Sequence, residues 1–309
     1  MPTLSLERDW DHSARRWIWR VGAERGGAVP ILTSRMVVLV HGYNTDPAEA
    51  REAYAQLCAE LTRLAPQVLE NVWELFWPGY LARWNDPLAR RSVFSQATYP
   101  YHVRRTAEIG RGLADFIRES MKSGNLVEIT LIAHSLGCRV VLEALKHFTP
   151  ADAHRFPAIC LMAAAVPQEQ LRDQLNRLSQ AAIVPRKRVV LFSHGDRVLR
   201  RYFPGGQTAA HDGFFPEAVG LFGAPAYYWQ RADAVTENTG LDHGDYFSGA
   251  PALSVNSRNR TAPVIARLLN QVVPTSLMER RLPEASLCPS AEPASQYVAE
   301  HRLTARRLG

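Results

Sequence analysis

Two rhythms of hydrophobic positions alternate along most of the chain. Met36-Val37-Val38-Leu39-Val40 is a continuous apolar run, similar runs occupy residues 129–133 and 158–166, and 71–77 and 188–192 read as further strands. Unbroken hydrophobicity over so short a span fits a parallel strand covered on both faces. Between the runs the apolar residues recur at helical spacing. Ala53, Leu57, Leu61 and Leu64 make one stripe, and Ile109, Leu113, Phe116, Ile117 and Met121 make another. A third stripe is Gly137, Val140, Val141, Ala144, Leu145 and Phe148, and Leu171, Leu175 and Leu178 form a fourth. Asp46-Pro47-Ala48-Glu49 has the form of a helix start, with an Asx cap, proline at the first position and an acid three residues after the cap. Helices are expected at about 103–122, 168–182 and 262–273, and a last strand at 232–237.

Strands that alternate with helices define an α/β class with a mostly parallel sheet and helices on both faces. The periodic region, residues 35–273, reads as one domain. Residues 1–34 read as an N-terminal arm with a strand near 16–21, and 274–309 as a C-terminal tail with one short helix near 294–307. Two aromatic stretches without a clean period, about 78–100 and 199–228, read as insertions over the sheet edge. Loops of that length commonly serve as lids or binding walls.

Composition narrows the class without changing it. The chain has 309 residues, 46% hydrophobic and 21% charged, which is ordinary for a globular domain of this size. No apolar stretch is long enough for a transmembrane segment, and the polar, Trp-containing start lacks the apolar core of a secretion signal. Cys58, Cys138, Cys160 and Cys288 have no C-x-x-C spacing, so free thiols in a cytoplasmic setting are expected rather than disulfides or a metal site. The formal charge of +6 comes from short basic clusters interleaved with acids, and no nucleic-acid module is present.

The candidate chemistry lies in residues 128–148, E-I-T-L-I-A-H-S-L-G-C-R-V-V-L-E-A-L-K-H-F. A buried strand there turns sharply into a helix, with Ser135 at the turn. Such a turn lifts a hydroxyl above the sheet edge and leaves the backbone N–H of Leu136 at a helix N-terminus. The alternative for Ser135 is an ordinary N-cap. An alcohol attacks at neutral pH only with a base to take its proton, an acid to orient that base and N–H donors for the oxyanion. Asp196 follows the strand at 188–192 through a glycine turn and is the candidate acid; Asp173, inside a helix, is poorer placed. His243, in Leu241-Asp242-His243-Gly244-Asp245, is the candidate base, with His211 its rival. His194 reads as structural, and His134 as pointing away from the turn. The backbone N–H groups of Tyr43 and Leu136 are the candidate oxyanion donors, with Gly42 allowing close approach, the Asn44 side chain bracing the loop and His41 anchoring it.

Together His41-Gly42-Tyr43-Asn44, Ala133-His134-Ser135-Leu136-Gly137, Asp196 and Leu241-Asp242-His243-Gly244-Asp245-Tyr246 resemble the α/β-hydrolase superfamily. Within it they look like a bacterial group of serine hydrolases of unknown function with a His-Gly-Tyr-Asn loop. The likeness covers about residues 35–273, and the departure is Ala133 where the elbow pattern has glycine. It implies an α/β-hydrolase fold with lid-like insertions and hydrolysis of an ester or thioester through an acyl-enzyme on Ser135. The substrate would be a small-molecule or lipid-like acyl compound, with no cofactor and no metal. Two further readings share these residues: a non-catalytic protein of the same fold that docks partners or anionic membranes, and an acyltransferase using the same triad.

Overall fold

The computed structural model describes residues 3–11, 16–24, 35–66, 72–79, 93–122, 128–173, 185–225, 234–247 and 255–272. Its centre is an eight-stranded sheet. The strands are β1 (Thr3–Asp11), β2 (Arg16–Glu24), β3 (Arg35–Val40), β4 (Val72–Phe76), β5 (Glu128–His134), β6 (Ala158–Met162), β7 (Lys187–Phe192) and β8 (Ala234–Asn238), in the spatial order β2-β1-β4-β3-β5-β6-β7-β8. Every neighbouring pair is parallel except β1 with β2. Strands β3 to β7 are almost wholly buried, as their predominantly apolar sequences require.

The helices follow from their sequences. Helix α1 (Pro47–Leu64) opens with a complete capping box: Asp46 accepts from the N–H groups of Ala48 and Glu49, and Glu49 accepts from that of Asp46. Helix α2 (Val93–Lys122) packs on α3 (Leu136–Leu145). Helix α7 (Val255–Val272) packs on α1, so the sheet is covered on both faces. Three short helices, α4 (Arg197–Arg201), α5 (Phe203–Ala209) and α6 (Val219–Phe222), fill the connection after β7.

Chain direction fixes where a site can form. From β3 the chain moves outward to β4, then crosses back over β3 to β5. The order therefore reverses at β3 and β5, and a crevice opens beyond their carboxyl ends. His41-Gly42-Tyr43 leaves β3 there, and Ser135 leaves β5 there.

Several boundaries differ from the sequence reading. Helix α2 starts at Val93 rather than 103 and carries Pro100 within it, so 93–100 is helical; 80–92 lies outside the described residues. An internal proline removes one hydrogen bond but does not stop a long helix that packing holds. Residues 197–222 contain three short helices rather than an irregular loop. The strand β1 was not expected; it joins β2 in a hairpin and adds to β4. Of the expected helix at 168–182, residues 168–173 are helical and the rest lies outside the described residues. The expected tail, 274–309, and Cys288 lie outside them as well. Cys58, Cys138 and Cys160 are free and buried. Among the described residues, no helix is long and apolar enough to cross a membrane.

Candidate active site

Ser135 adopts φ 52° and ψ −124°, a conformation costing a non-glycine residue on the order of 1–3 kcal/mol. The turn is held from both sides. The Ser135 N–H donates to the Met162 carbonyl at 2.9 Å, and the Ser135 carbonyl accepts from Ala165 at 3.1 Å. Its hydroxyl makes no cap bond to α3, which sets aside the N-cap alternative. Two glycines let the strand ends come together. A Cβ on Gly137 would stand 2.3 Å from the His41 carbonyl oxygen, and one on Gly42 would stand 2.8 Å from Cβ of Ser135. The loop after β3 thus lies directly against the turn after β5.

The carboxylate is equally fixed. Asp196 is fully buried at the N-cap of α4; Oδ1 accepts from the Leu199 N–H at 2.9 Å, leaving Oδ2 for another donor. That donor is Nδ1–H of His243, at 2.8 Å. With Nδ1 carrying the proton, Nε2 is the bare nitrogen, and it accepts the Ser135 hydroxyl at 2.8 Å. The three residues that chain order nominated meet at one rim of the sheet.

The loop carrying His243 is tied at each end. Asp242 accepts from the His243 N–H and pairs with Arg197, which holds its carboxyl below the usual range against the opposing effect of partial burial. Asp245 accepts from the Asp242 N–H. A third tie was not expected. His134, immediately before Ser135, donates from Nε2 to the main-chain carbonyl of His243 at 2.8 Å, with the two rings 5.1 Å apart. It does not point away from the turn; it joins the strand end that carries Ser135 to the loop that carries His243. Burial holds its pKa down at about 3, so it stays neutral and keeps this donor.

His41 anchors the other side. Its Nδ1 donates to the Gly42 carbonyl, Nε2 accepts from the Trp77 N–H, and the ring stacks on the Trp77 indole at 5.5 Å. Burial lowers its pKa to about 4. The Asn44 N–H donates to the Gly79 carbonyl at 2.7 Å, which braces the loop through the backbone. Leu136 is the first residue of α3, so its N–H has no partner within the helix. The remaining sequence candidates lie elsewhere. His211 is exposed after α5, His194 packs on Phe192, and Asp173 is exposed beside Arg172.

A cavity of about 550 Å³ opens over Ser135 and His243, within the range of small-molecule sites. Tyr43 and Tyr99 stand on one side, their rings 5.4 Å apart edge to face. Helix α5 supplies another wall through Gly205, Gly206 and Ala209. That wall is fastened: Gln207 donates to the Tyr99 hydroxyl, Arg104 donates to the carbonyls of Ala209 and Ala210, and Arg139 bonds Asp212.

A mostly parallel sheet of this order, with a serine on a strained strand–helix turn and helices on both faces, is the α/β-hydrolase fold. The chain belongs to the family of alpha/beta hydrolases of unknown function (DUF900), whose model matches residues 31–201. The match spans Gly42, Ser135 and Asp196 and ends before His243. No curated relative matches the chain. Among solved structures it is similar to a predicted CIB-like hydrolase from Thermoplasma acidophilum. That pair shares 12% identity over 87% of this chain and 100% of the other, with TM-score 0.39. An esterase from Rhizomucor miehei shares 12% identity over 86% and 82% of the two chains, with TM-score 0.38. An esterase from Pyrobaculum calidifontis shares 17% identity over 82% and 78%, with TM-score 0.37. Such values describe distant likeness of shape and say nothing of activity.

Proposed function

We propose that this hydrolase is a serine hydrolase that cleaves an ester or thioester through an acyl-enzyme on Ser135. One observation carries the reading: a single imidazole, that of His243, lies 2.8 Å from the Ser135 hydroxyl and 2.8 Å from the Asp196 carboxylate. In this mechanism His243 takes the hydroxyl proton as Oγ attacks the substrate carbonyl. Asp196 keeps the imidazole in the tautomer that can accept that proton and stabilises the cation that forms. The backbone N–H groups of Leu136 and Tyr43 receive the oxyanion. The imidazolium then protonates the leaving oxygen or sulfur, and water, deprotonated by His243, releases the acid.

The His-Gly-Tyr-Asn loop and the elbow ending in Gly137 further suggest membership of a bacterial serine-hydrolase group within the superfamily. The three unpaired buried thiols fit a cytoplasmic setting. We read residues 35–273 as the hydrolase domain, 1–34 as an N-terminal arm and 274–309 as a C-terminal tail. The aromatic side of the cavity, Tyr43 with Tyr99, suits an apolar acyl chain.

The test is turnover of p-nitrophenyl butyrate. Ser135→Ala and His243→Ala are each expected to lower kcat by at least about a thousandfold. Wild-type rates in the folded His243→Ala variant would remove the base from the mechanism and favour a non-catalytic role. Product analysis with added alcohols separates hydrolysis from acyl transfer.

A further inference from the structure

Around the cavity, four arginines end on acceptors within the protein. Arg104 donates to the carbonyls of Ala209 and Ala210, and Arg139 bonds Asp212. Arg197 pairs with Asp242, and Arg200 donates to the His194 carbonyl. Arg201 differs from all of them. It lines the same cavity as Ser135 and His243, and its contact is the face of Tyr202, with the guanidinium carbon 5.8 Å from the ring centroid. Among the described residues it has no carboxylate or carbonyl partner, and no carboxylate lines the cavity. The cavity therefore joins an exposed cation to a nucleophile that is only 5% exposed.

A guanidinium stays charged at every working pH and presents a planar fork of donors that matches a carboxylate or phosphate. Stacking on an aromatic face limits its motion and lowers the cost of fixing it on a ligand. We propose that Arg201 receives an anionic group of the substrate, so that the substrate class is an ester bearing a carboxylate. This deepens the acyl-enzyme reading and rests on it. The scissile carbonyl sits at Ser135, the apolar part of the substrate lies along Tyr43 and Tyr99, and the charge stays at the wet end of the cavity. Arg201 takes no part in bond making; it selects the substrate and sets its direction.

The experiment compares three chromogenic esters on the full chain. They are neutral p-nitrophenyl butyrate, mono-p-nitrophenyl glutarate with its carboxylate on the acyl side, and 3-butyryloxy-4-nitrobenzoate, also a nitrophenyl ester, with its carboxylate on the leaving group. One of the two anionic esters should exceed the neutral one in kcat/KM by about tenfold at low ionic strength, mainly through KM. That ester identifies which side of the substrate carries the charge. High salt should shrink the preference. Arg201→Gln should lower the anionic-to-neutral ratio about tenfold, and Arg201→Glu should invert it, with thermal melts confirming that both variants fold. Equal kcat/KM for all three esters in the wild type, or a preference that survives Arg201→Gln, overturns the proposal. If p-nitrophenyl butyrate is cleaved in a Ser135-dependent way without any anionic preference, this inference alone fails. If none of the three is cleaved in a Ser135-dependent way, the acyl-enzyme reading fails with it.

Discussion

At the scale of single residues, the candidate site depends on how firmly one imidazole is held. Asp196 fixes its Nδ1 side and Ser135 meets its Nε2 side, while His134 fixes the main chain of the same residue. His134 is thus a positioning residue for the proposed base. Replacing it with Phe should lower kcat by roughly ten- to a hundredfold, since small displacements of reacting groups carry costs of that size. KM should change little. His134→Gln, whose carboxamide can still donate, should recover part of the loss; steady-state kinetics on both folded variants decides it. Equal losses in the two would mean that ring packing, not the hydrogen bond, is what matters. Ser135, Asp196 and His243 were legible because each follows an expected strand and their chain order matches a known arrangement. The role of His134 was not legible, because its partner is a backbone carbonyl 109 positions away, and no side-chain pattern records that.

At the scale of elements, close approach explains the local sequence. A methyl on Gly137 would collide with backbone atoms of His41 and Val40 at 2.3 and 2.9 Å, and backbone cannot step aside as a side-chain tip can. Gly137→Ala should therefore cost about 1–3 kcal/mol of stability, read from chemical denaturation. Gly205 is the opposite case. It lines the cavity, and a Cβ there would meet nothing within 4 Å. Gly205→Leu should leave the melting temperature nearly unchanged and shorten the longest acyl chain accepted, measured across p-nitrophenyl esters from acetate to laurate. An unchanged chain-length profile would place the acyl group elsewhere in the cavity. The central strands were readable because burial on both faces forces unbroken apolar runs, and α1 because its capping box is local. Strand β1 was not, since T-L-S-L-E-R-D-W-D is mostly polar and its place on β4 is a long-range pairing. Helices α4 to α6 were missed for a related reason: they are too short to show a helical period.

At the scale of the whole molecule, the site sits where the strand order reverses, and three buried histidines, His41, His102 and His134, make its frame sensitive to acid. The pKa of His41 and of His102 falls to about 4 and that of His134 to about 3 on folding, each chiefly through burial, from an ordinary value near 6.5. Between those values the unfolded chain binds the extra protons, so stability is complete above about pH 6.5 and drains away as pH falls toward 4. Thermal melts followed by circular dichroism should show this decline, and it should be shallower in His134→Gln, which removes one of the three groups. Parallel pH profiles for the two proteins would mean that His134 is not buried as described. The central claim remains that Ser135 is a nucleophile activated by His243. Its most direct test is covalent labelling by a fluorophosphonate, with the modified residue located by peptide mass spectrometry. The account predicts one adduct, on Ser135, that forms quickly in the wild type and far more slowly in His243→Ala. A folded wild-type protein that stays unlabelled, or carries its label on another residue, would contradict it.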